Sequence, residues 1–163
     1  MAKHPVIMKE YHPPFTGSDE FTAVLVRKSL AGVENISSDV RESLLEVLGK
    51  QSVSEEILKA WKTTCNRIAA VKLARVPSLG GKSVVAVSLH CSRSAGTADL
   101  VLELVSVLGR QNADVNLVGL DTNITAEEVS EFKTRLKSVP SLDFGEEHVD
   151  QVTDDSCILL RFV

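Results

Sequence analysis

The residues best suited to chemistry lie between His90 and Thr97, after an apolar run and before a helical pattern. Cys91 supplies a thiol, and the small residues after it would expose backbone N–H groups at a helix N-terminus. Such groups, with a cation from Arg93, suit an anion such as phosphate. The predicted anion-binding residues are Cys91, Ser92, Arg93, Ser94, Gly96 and Thr97.

His90-Cys91 after an apolar strand resembles the phosphate loop of protein tyrosine phosphatases, whose motif is His-Cys, five residues and then Arg. That chemistry needs a thiolate of lowered pKa and an Arg that clamps the phosphate oxygens. Here Thr97 stands where the motif requires Arg, and Arg93 stands two positions after the cysteine. The sequence therefore predicts neither this family nor any catalytic residue.

A structural interpretation of the same loop stands beside the anion site. Ser94 or Thr97 would cap the following helix, and Cys91 would be a small core residue. The spacing matches neither a Walker A loop nor GxGxxG, so no nucleotide cofactor is predicted.

No metal site is predicted either. The four histidines are scattered, and none pairs with a cysteine or a carboxylate at metal-binding spacing. The acidic stretch Glu146 to Asp155 misses the EF-hand pattern and predicts a solvated loop.

Composition predicts one α/β domain that spans residues 1–163. Apolar residues at 44% and charged residues at 25% are typical of a globular chain and argue against disorder. Residues 1–81 carry 11 Lys and Arg against 9 Asp and Glu, whereas residues 82–163 carry 7 against 13. An acidic half without a basic cluster argues against nucleic-acid binding.

The cysteines and the hydropathy pattern bear on location. Three widely spaced cysteines without a CxxC pair favour reduced thiols inside the cell over a disulfide framework. The first residues contain Glu10 and three prolines instead of a continuous apolar segment, so no signal peptide is predicted. No apolar run approaches the length of a membrane span. The sequence predicts an intracellular, cytoplasmic protein that does not bind membranes.

The C-terminal half has the pattern strand, helix, strand, helix, strand. The apolar runs at 84–89 and 115–120 predict strands buried on both faces. The stripe in 97–111 predicts a helix, and a capping box at Thr125 predicts another that Pro140 ends. Short strands are predicted at 142–144 and 157–163. Such alternation favours a mixed sheet with a βαβαβ unit and with helices packed on it.

The N-terminal half is less regular. Val6–Tyr11 and Phe21–Arg27 predict two strands that pair as a hairpin. Helices are predicted from Asp39 and from Ser52, each with a glutamate three residues later. Residues 71–73 fit either the continuation of the second helix or a new strand, and the strand is favoured.

A leucine-rich-repeat stack is the alternative fold. Val115, Val118, Leu120 and Asn123 satisfy that template, in which asparagine closes a ladder at the strand end. Segments that start at Val84 and at position 139 satisfy only its apolar positions, so ordinary βα units are favoured.

These observations predict a non-enzymatic interaction domain, a subunit or adaptor of a larger assembly. Opposite charge in the two halves suits other protein subunits or head-to-tail self-association. The alternative function is an anion-binding module or small enzyme built on the loop from Cys91 to Thr97.

Overall fold

The computed structural model describes residues 5–19, 22–92, 96–124, 126–139, 142–149 and 156–162. The helices are α1 (Pro5–Glu10), α2 (Ser37–Leu48), α3 (Glu55–Cys65), α4 (Thr97–Gly109) and α5 (Ala126–Leu136). The strands are β1 (Phe15–Thr16), β2 (Ala23–Val24), β3 (Val33–Asn35), β4 (Ile68–Val76), β5 (Lys82–His90), β6 (Val115–Asp121), β7 (Asp143–Val149) and β8 (Ser156–Phe162).

The main sheet has six strands in the order β3-β4-β5-β6-β8-β7. β5 and β6 are parallel, with Val84 opposite Val115, and every other neighbouring pair is antiparallel. The predicted mixed sheet with a βαβαβ unit is confirmed, because β5, α4, β6, α5 and β7 follow one another in the chain. The leucine-rich-repeat alternative is wrong, since antiparallel β8 lies between β6 and the third unit of the proposed stack.

Helices α2 to α5 bury their apolar sides in one core against the sheet. That core takes residues from all four helices and from strands β4, β5, β6 and β8. The predicted stripe on α4 accounts for its centre, because Leu100, Val101, Leu104 and Leu108 expose 1% or less of their surface. Residues spaced three and four apart lie on one side of a helix. The apolar side of α4 therefore packs in the core.

The opposite face of the sheet is covered only in part. The short sheet of β1 and β2 contacts β4, and β2 also contacts β5. Val26 from this segment is buried against Val71, Leu73, Val84 and Val115. Farther along the sheet, Leu159 and Arg161 on β8 are exposed. The described N-terminal residues thus cover the β4–β5 half of this face.

The predicted strand Val6–Tyr11 is wrong, because residues 5–10 form α1. Pro5 begins this helix, where its missing N–H and fixed φ suit the first helical position. The two segments still pair just after α1. Tyr11 forms a β-bridge with Arg27, and the His12 N–H donates to the Val26 carbonyl at 2.8 Å. Of the second predicted strand, Phe21 lies outside the described residues, and Ala23–Val24 form β2.

Several predicted boundaries also shift. α2 begins at Ser37 instead of after Asp39, and the Asn35 side chain accepts the Ser37 N–H at 3.1 Å. α3 is capped by Ser54, whose hydroxyl accepts the Ile57 N–H at 3.3 Å, and not by Ser52. The strand favoured at 71–73 is confirmed as part of β4.

The C-terminal acidic stretch is in part a strand. β7 runs to Val149, so Glu146 and Glu147 belong to a sheet strand and the predicted loop is wrong there. Residues 150–155 of that predicted loop lie outside the described residues. None of the described helices has the length and apolar character of a membrane span.

Candidate functional site

The carboxyl ends of the two parallel strands bring the predicted loop beside a second loop. His90 and Asp121 are register partners at the ends of β5 and β6. The loop that starts at Cys91 follows β5, and Asn123 follows β6. Ligand sites of α/β sheets lie beyond the carboxyl ends of such strands, so this edge is the candidate site.

Cys91 belongs to the hydrophobic core. It exposes 1% of its surface, and its N–H donates to the Asp121 carbonyl at 2.7 Å. Burial, with a smaller contribution from the negative charge of Asp121, raises the pKa of the Cys91 thiol to about 12. At neutral pH the thiol is therefore protonated and enclosed. It cannot act as the thiolate nucleophile that the phosphatase-like chemistry requires.

The rest of the predicted loop is held from several sides. The Ser92 N–H donates to the Thr64 hydroxyl at 3.0 Å. Gly96 is the N-cap of α4 with φ 97°, and its carbonyl accepts the Trp61 indole N–H at 3.1 Å. Thr97 is buried in the first turn of α4. The expectation that Thr97 caps the helix is wrong, because Gly96 is the N-cap. Arg93 and Ser94 lie outside the described residues, and anion binding by this loop stays a prediction.

A hollow of about 270 Å³ lies beside the start of α4. Glu128 and Glu131 line it together with Gly96, Thr97 and Arg135. The Arg135 guanidinium forms an ion pair with Asp99. Two carboxylates at this hollow oppose the attraction of a helix N-terminus for an anion.

A polar cluster lies on the sheet face opposite the helices. Arg67 donates from Nε to Asp19 Oδ2 at 3.2 Å, and its Nη1 lies 3.2 Å from His90 Nδ1. Asn123 Nδ2 lies 2.8 Å from His90 Nε2 and donates to the Cys91 carbonyl at 2.7 Å. Asp121 Oδ2 lies 3.7 Å from His90 Nε2. We call Asp19, Arg67, His90, Asp121 and Asn123 the polar cluster.

The contacts within the polar cluster limit its chemistry. Both ring nitrogens of His90 face N–H donors, and a neutral imidazole has only one acceptor nitrogen. The neighbouring thiol of Cys91 is in the core, and the imidazole contacts Arg67, Asn123 and Asp121. The polar cluster instead connects the N-terminal segment to the sheet. Arg67 forms an ion pair with Asp19, and its carbonyl accepts a hydrogen bond from the Thr22 hydroxyl.

Sequence reasoning placed the loop correctly and missed the polar cluster. Part of the polar cluster could have been predicted from the two apolar runs. If β5 and β6 are parallel and Val84 pairs with Val115, then His90 pairs with Asp121 six residues later. No sequence signal places Arg67 beside His90. That contact depends on the antiparallel register of β4 and β5, which pairs Ile68 with Leu89.

The described part of the chain holds no group of three His, Cys, Asp or Glu side chains that could bind a metal ion. Comparisons with known protein families and with curated proteins find no match to this chain.

We expect Cys91 in the native protein to resist alkylation by iodoacetamide at pH 7.5 and to react only as fast as the protein unfolds. The reason is that the thiol is both buried and protonated. Labelling at each cysteine is followed by mass spectrometry of tryptic peptides, with and without phosphate. A Lys59→Cys variant gives an exposed thiol as a control, because Lys59 is exposed on α3.

Fast labelling of native Cys91 that phosphate slows would contradict the buried geometry and restore the anion-binding hypothesis. The same thiol links stability to pH. Its folded pKa of about 12 lies above the ordinary value of 9.0, so its contribution is complete below about pH 9 and is lost as pH rises toward 12.

Proposed function

We propose that this chain is a non-enzymatic interaction domain that binds a second protein through the uncovered part of its sheet. The observation that carries the proposal is the pair of exposed side chains on β8, with partly buried residues of β6 beside them. Leu159 exposes 38% of its surface there, and Arg161 on the same face is also exposed. Alternate residues of a strand share a face, and the intervening residues Ile158 and Leu160 are in the core.

The position beside Leu159 on the neighbouring strand carries no side chain. Gly119 is the register partner of Leu159 on β6, and Ser88 is the partner of Gly119 on β5. A Cβ at Gly119 would meet only the Val87 carbonyl oxygen, at 3.8 Å, so the fold itself has room for a side chain there. An apolar side chain from a partner would fit between Leu159 and the half-buried Leu117, as anchor residues do in interfaces.

The charge of the C-terminal half favours a different protein over a second copy of this chain. That half carries 13 acidic and 7 basic residues, so two copies joined by this face would bring two acidic halves together. A partner with a net positive charge would be attracted instead. The described site supports a binding role, because its thiol is buried and His90 is enclosed by Arg67 and Asn123. An intracellular, cytoplasmic location stays a prediction.

We expect a photo-crosslinking residue at position 159 to form adducts with another protein in cells, and the same residue at position 53 to form few. Val53 is the matched control, because it exposes 37% of its surface in the α2–α3 connection, away from this face. The measurement is mass spectrometry of the purified adducts, followed by binding of the purified partner in a calorimeter. Leu159→Asp should weaken that binding at least tenfold, as loss of an interface anchor does, and Val53→Asp should not.

Equal adducts at positions 159 and 53, or adducts that contain only this chain, would contradict the proposal. Both aspartate variants should stay folded, with a loss of about 1 kcal/mol or less in the free energy of unfolding, since each changes an exposed residue. A loss of binding therefore reports on the surface and not on the fold.

A further inference from the structure

We propose that the groove between α2 and α3 binds an amphipathic carboxylate, an acyl chain whose charged end contacts Lys62. The groove lies in the helical layer, whereas the proposed interaction surface around Leu159 lies on the other face of the sheet. A test of one proposal therefore does not test the other. We call it the α2–α3 groove. The described residues that line it include Leu45, Leu48, Leu58, Trp61, Lys62 and Asn66.

The groove has the size and lining of a small-molecule site. Its volume is about 510 Å³, within the roughly 300–1,000 Å³ that such sites occupy. Leu48 and Trp61 are almost fully buried and form its floor. Leu45 and Leu58 are only partly buried although they pack against the core, so they offer apolar surface to a ligand.

The floor is fixed in place before any ligand arrives. The Trp61 indole N–H donates to the Gly96 carbonyl at 3.1 Å, which anchors the ring to the start of α4. Gly96 lies against the ring so closely that a Cβ there would be 3.4 Å from two indole atoms. A ring held on one side by hydrogen bonding and packing cannot fold into the groove, and a pre-formed site loses less entropy on binding.

The charge at the groove selects an anion. Lys62 is exposed and forms no ion pair with the described residues, and no carboxylate is among the residues that line the groove. The hollow beside α4 differs, because Glu128 and Glu131 line it. A ligand with one negative charge would therefore be attracted to the α2–α3 groove at Lys62.

The length of the α2–α3 groove favours an acyl chain over a compact ion. Leu58 and Asn66 are eight positions apart on and just after α3, which corresponds to about 12 Å along a helix. Polar side chains are confined to the Lys62–Asn66 end. A peptide would leave backbone polar groups unpaired along the apolar part, whereas an acyl chain has none to satisfy.

The test is a titration of the intact chain with decanoate, below its micelle concentration, followed by tryptophan fluorescence and by calorimetry. Trp61 is the only tryptophan in the sequence, so no other tryptophan contributes to the emission, and the variants below assign the change to the groove. We expect a saturable change with decanoate, weaker binding of 1-decanol, and weaker binding still of decyltrimethylammonium, whose charge Lys62 repels.

Matched variants locate the site. Lys62→Gln should weaken decanoate binding about threefold to fivefold, the effect of an exposed ion pair. Lys59→Gln removes an exposed charge from the same helix outside the groove lining and should leave the affinity unchanged. Leu58→Phe should fill the groove and weaken binding more than tenfold, with circular dichroism confirming that the variant is folded.

Three outcomes would overturn the proposal: no saturable heat or fluorescence change, equal affinity for the three amphiphiles, or an affinity that neither Lys62→Gln nor Leu58→Phe alters. Co-sedimentation with phosphatidylserine vesicles distinguishes a free carboxylate from a lipid surface. We expect the protein to stay in the supernatant, and sedimentation that Lys62→Gln abolishes would overturn the assignment to a free ligand.

Discussion

Replacing Leu104 by alanine is expected to lower the free energy of unfolding by about 3 kcal/mol. Leu104 lies at the middle of α4 and exposes 0% of its surface, in the core that α2, α4 and the sheet share. Removal of a buried leucine side chain loses its transfer free energy and leaves a cavity, and together these cost about 2–5 kcal/mol. The measurement is urea unfolding followed by circular dichroism and by Trp61 fluorescence.

Leu159→Ala is the matched control for this change. It removes the same atoms from a residue that exposes 38% of its surface, so less apolar contact is lost. We expect a cost below about 1 kcal/mol. If the two variants lost equal stability, α4 would not occupy the centre of the core.

Replacing Asn123 by alanine is expected to lower the free energy of unfolding by about 2–3 kcal/mol. One part is the hydrogen bond to the Cys91 carbonyl at 2.7 Å, because an unpaired buried acceptor costs about 1–3 kcal/mol. The other part is the backbone, since Asn123 has φ 49°, a left-handed conformation that alanine adopts at a cost of about 1–2 kcal/mol.

Asn123→Gly separates the two contributions. Glycine adopts the left-handed conformation without strain but cannot donate to the carbonyl, so we expect it to recover about 1 kcal/mol relative to alanine. Equal stability of the alanine and glycine variants would exclude the backbone contribution. A glycine variant as stable as the parent would show that the hydrogen bond contributes nothing. Urea unfolding of the three proteins gives both comparisons.

The region from β5 to β6 was predictable because the local pattern and the final environment agree there. β5 and β6 read as continuous apolar runs, and in the structure Val85, Val87, Val118 and Leu120 are all in the core. The stripe on α4 is regular enough to define both the helix and its buried side. For β5, α4 and β6 the apolar residue types alone indicate which positions are buried, and no contact with a distant part of the chain has to be known.

The N-terminal half was less predictable because its elements depend on tertiary contacts. β3 has three residues and was not predicted at all; it exists because Val33 to Asn35 pair with β4. Val6 to Tyr11 was predicted to be a strand, yet Pro5 begins a short helix there. The start of α2 is set by Asn35, and neither local pattern nor propensity distinguishes it from Asp39.

The candidate site shows the same division. The loop after β5 follows from the strand–helix pattern, whereas the role of Cys91 depends on burial that the sequence does not state. His90 was one scattered histidine in the sequence, and no prediction placed Arg67 beside it. Their contact at 3.2 Å arises from the pairing of β4 with β5, which brings together residues 23 positions apart.

The position of β8 in the sheet has a consequence for synthesis. β7 is made before β8, yet among the described strands its hydrogen-bonded neighbour is β8, which lies between it and β6. When the residues up to 149 have emerged from the ribosome, the strand that pairs with β7 has not yet emerged, whereas all residues of β3 to β6 have. Domains fold as their segments emerge. We therefore expect β7 to join the sheet last in folding, and β6 to keep an unpaired edge until β8 has paired with it.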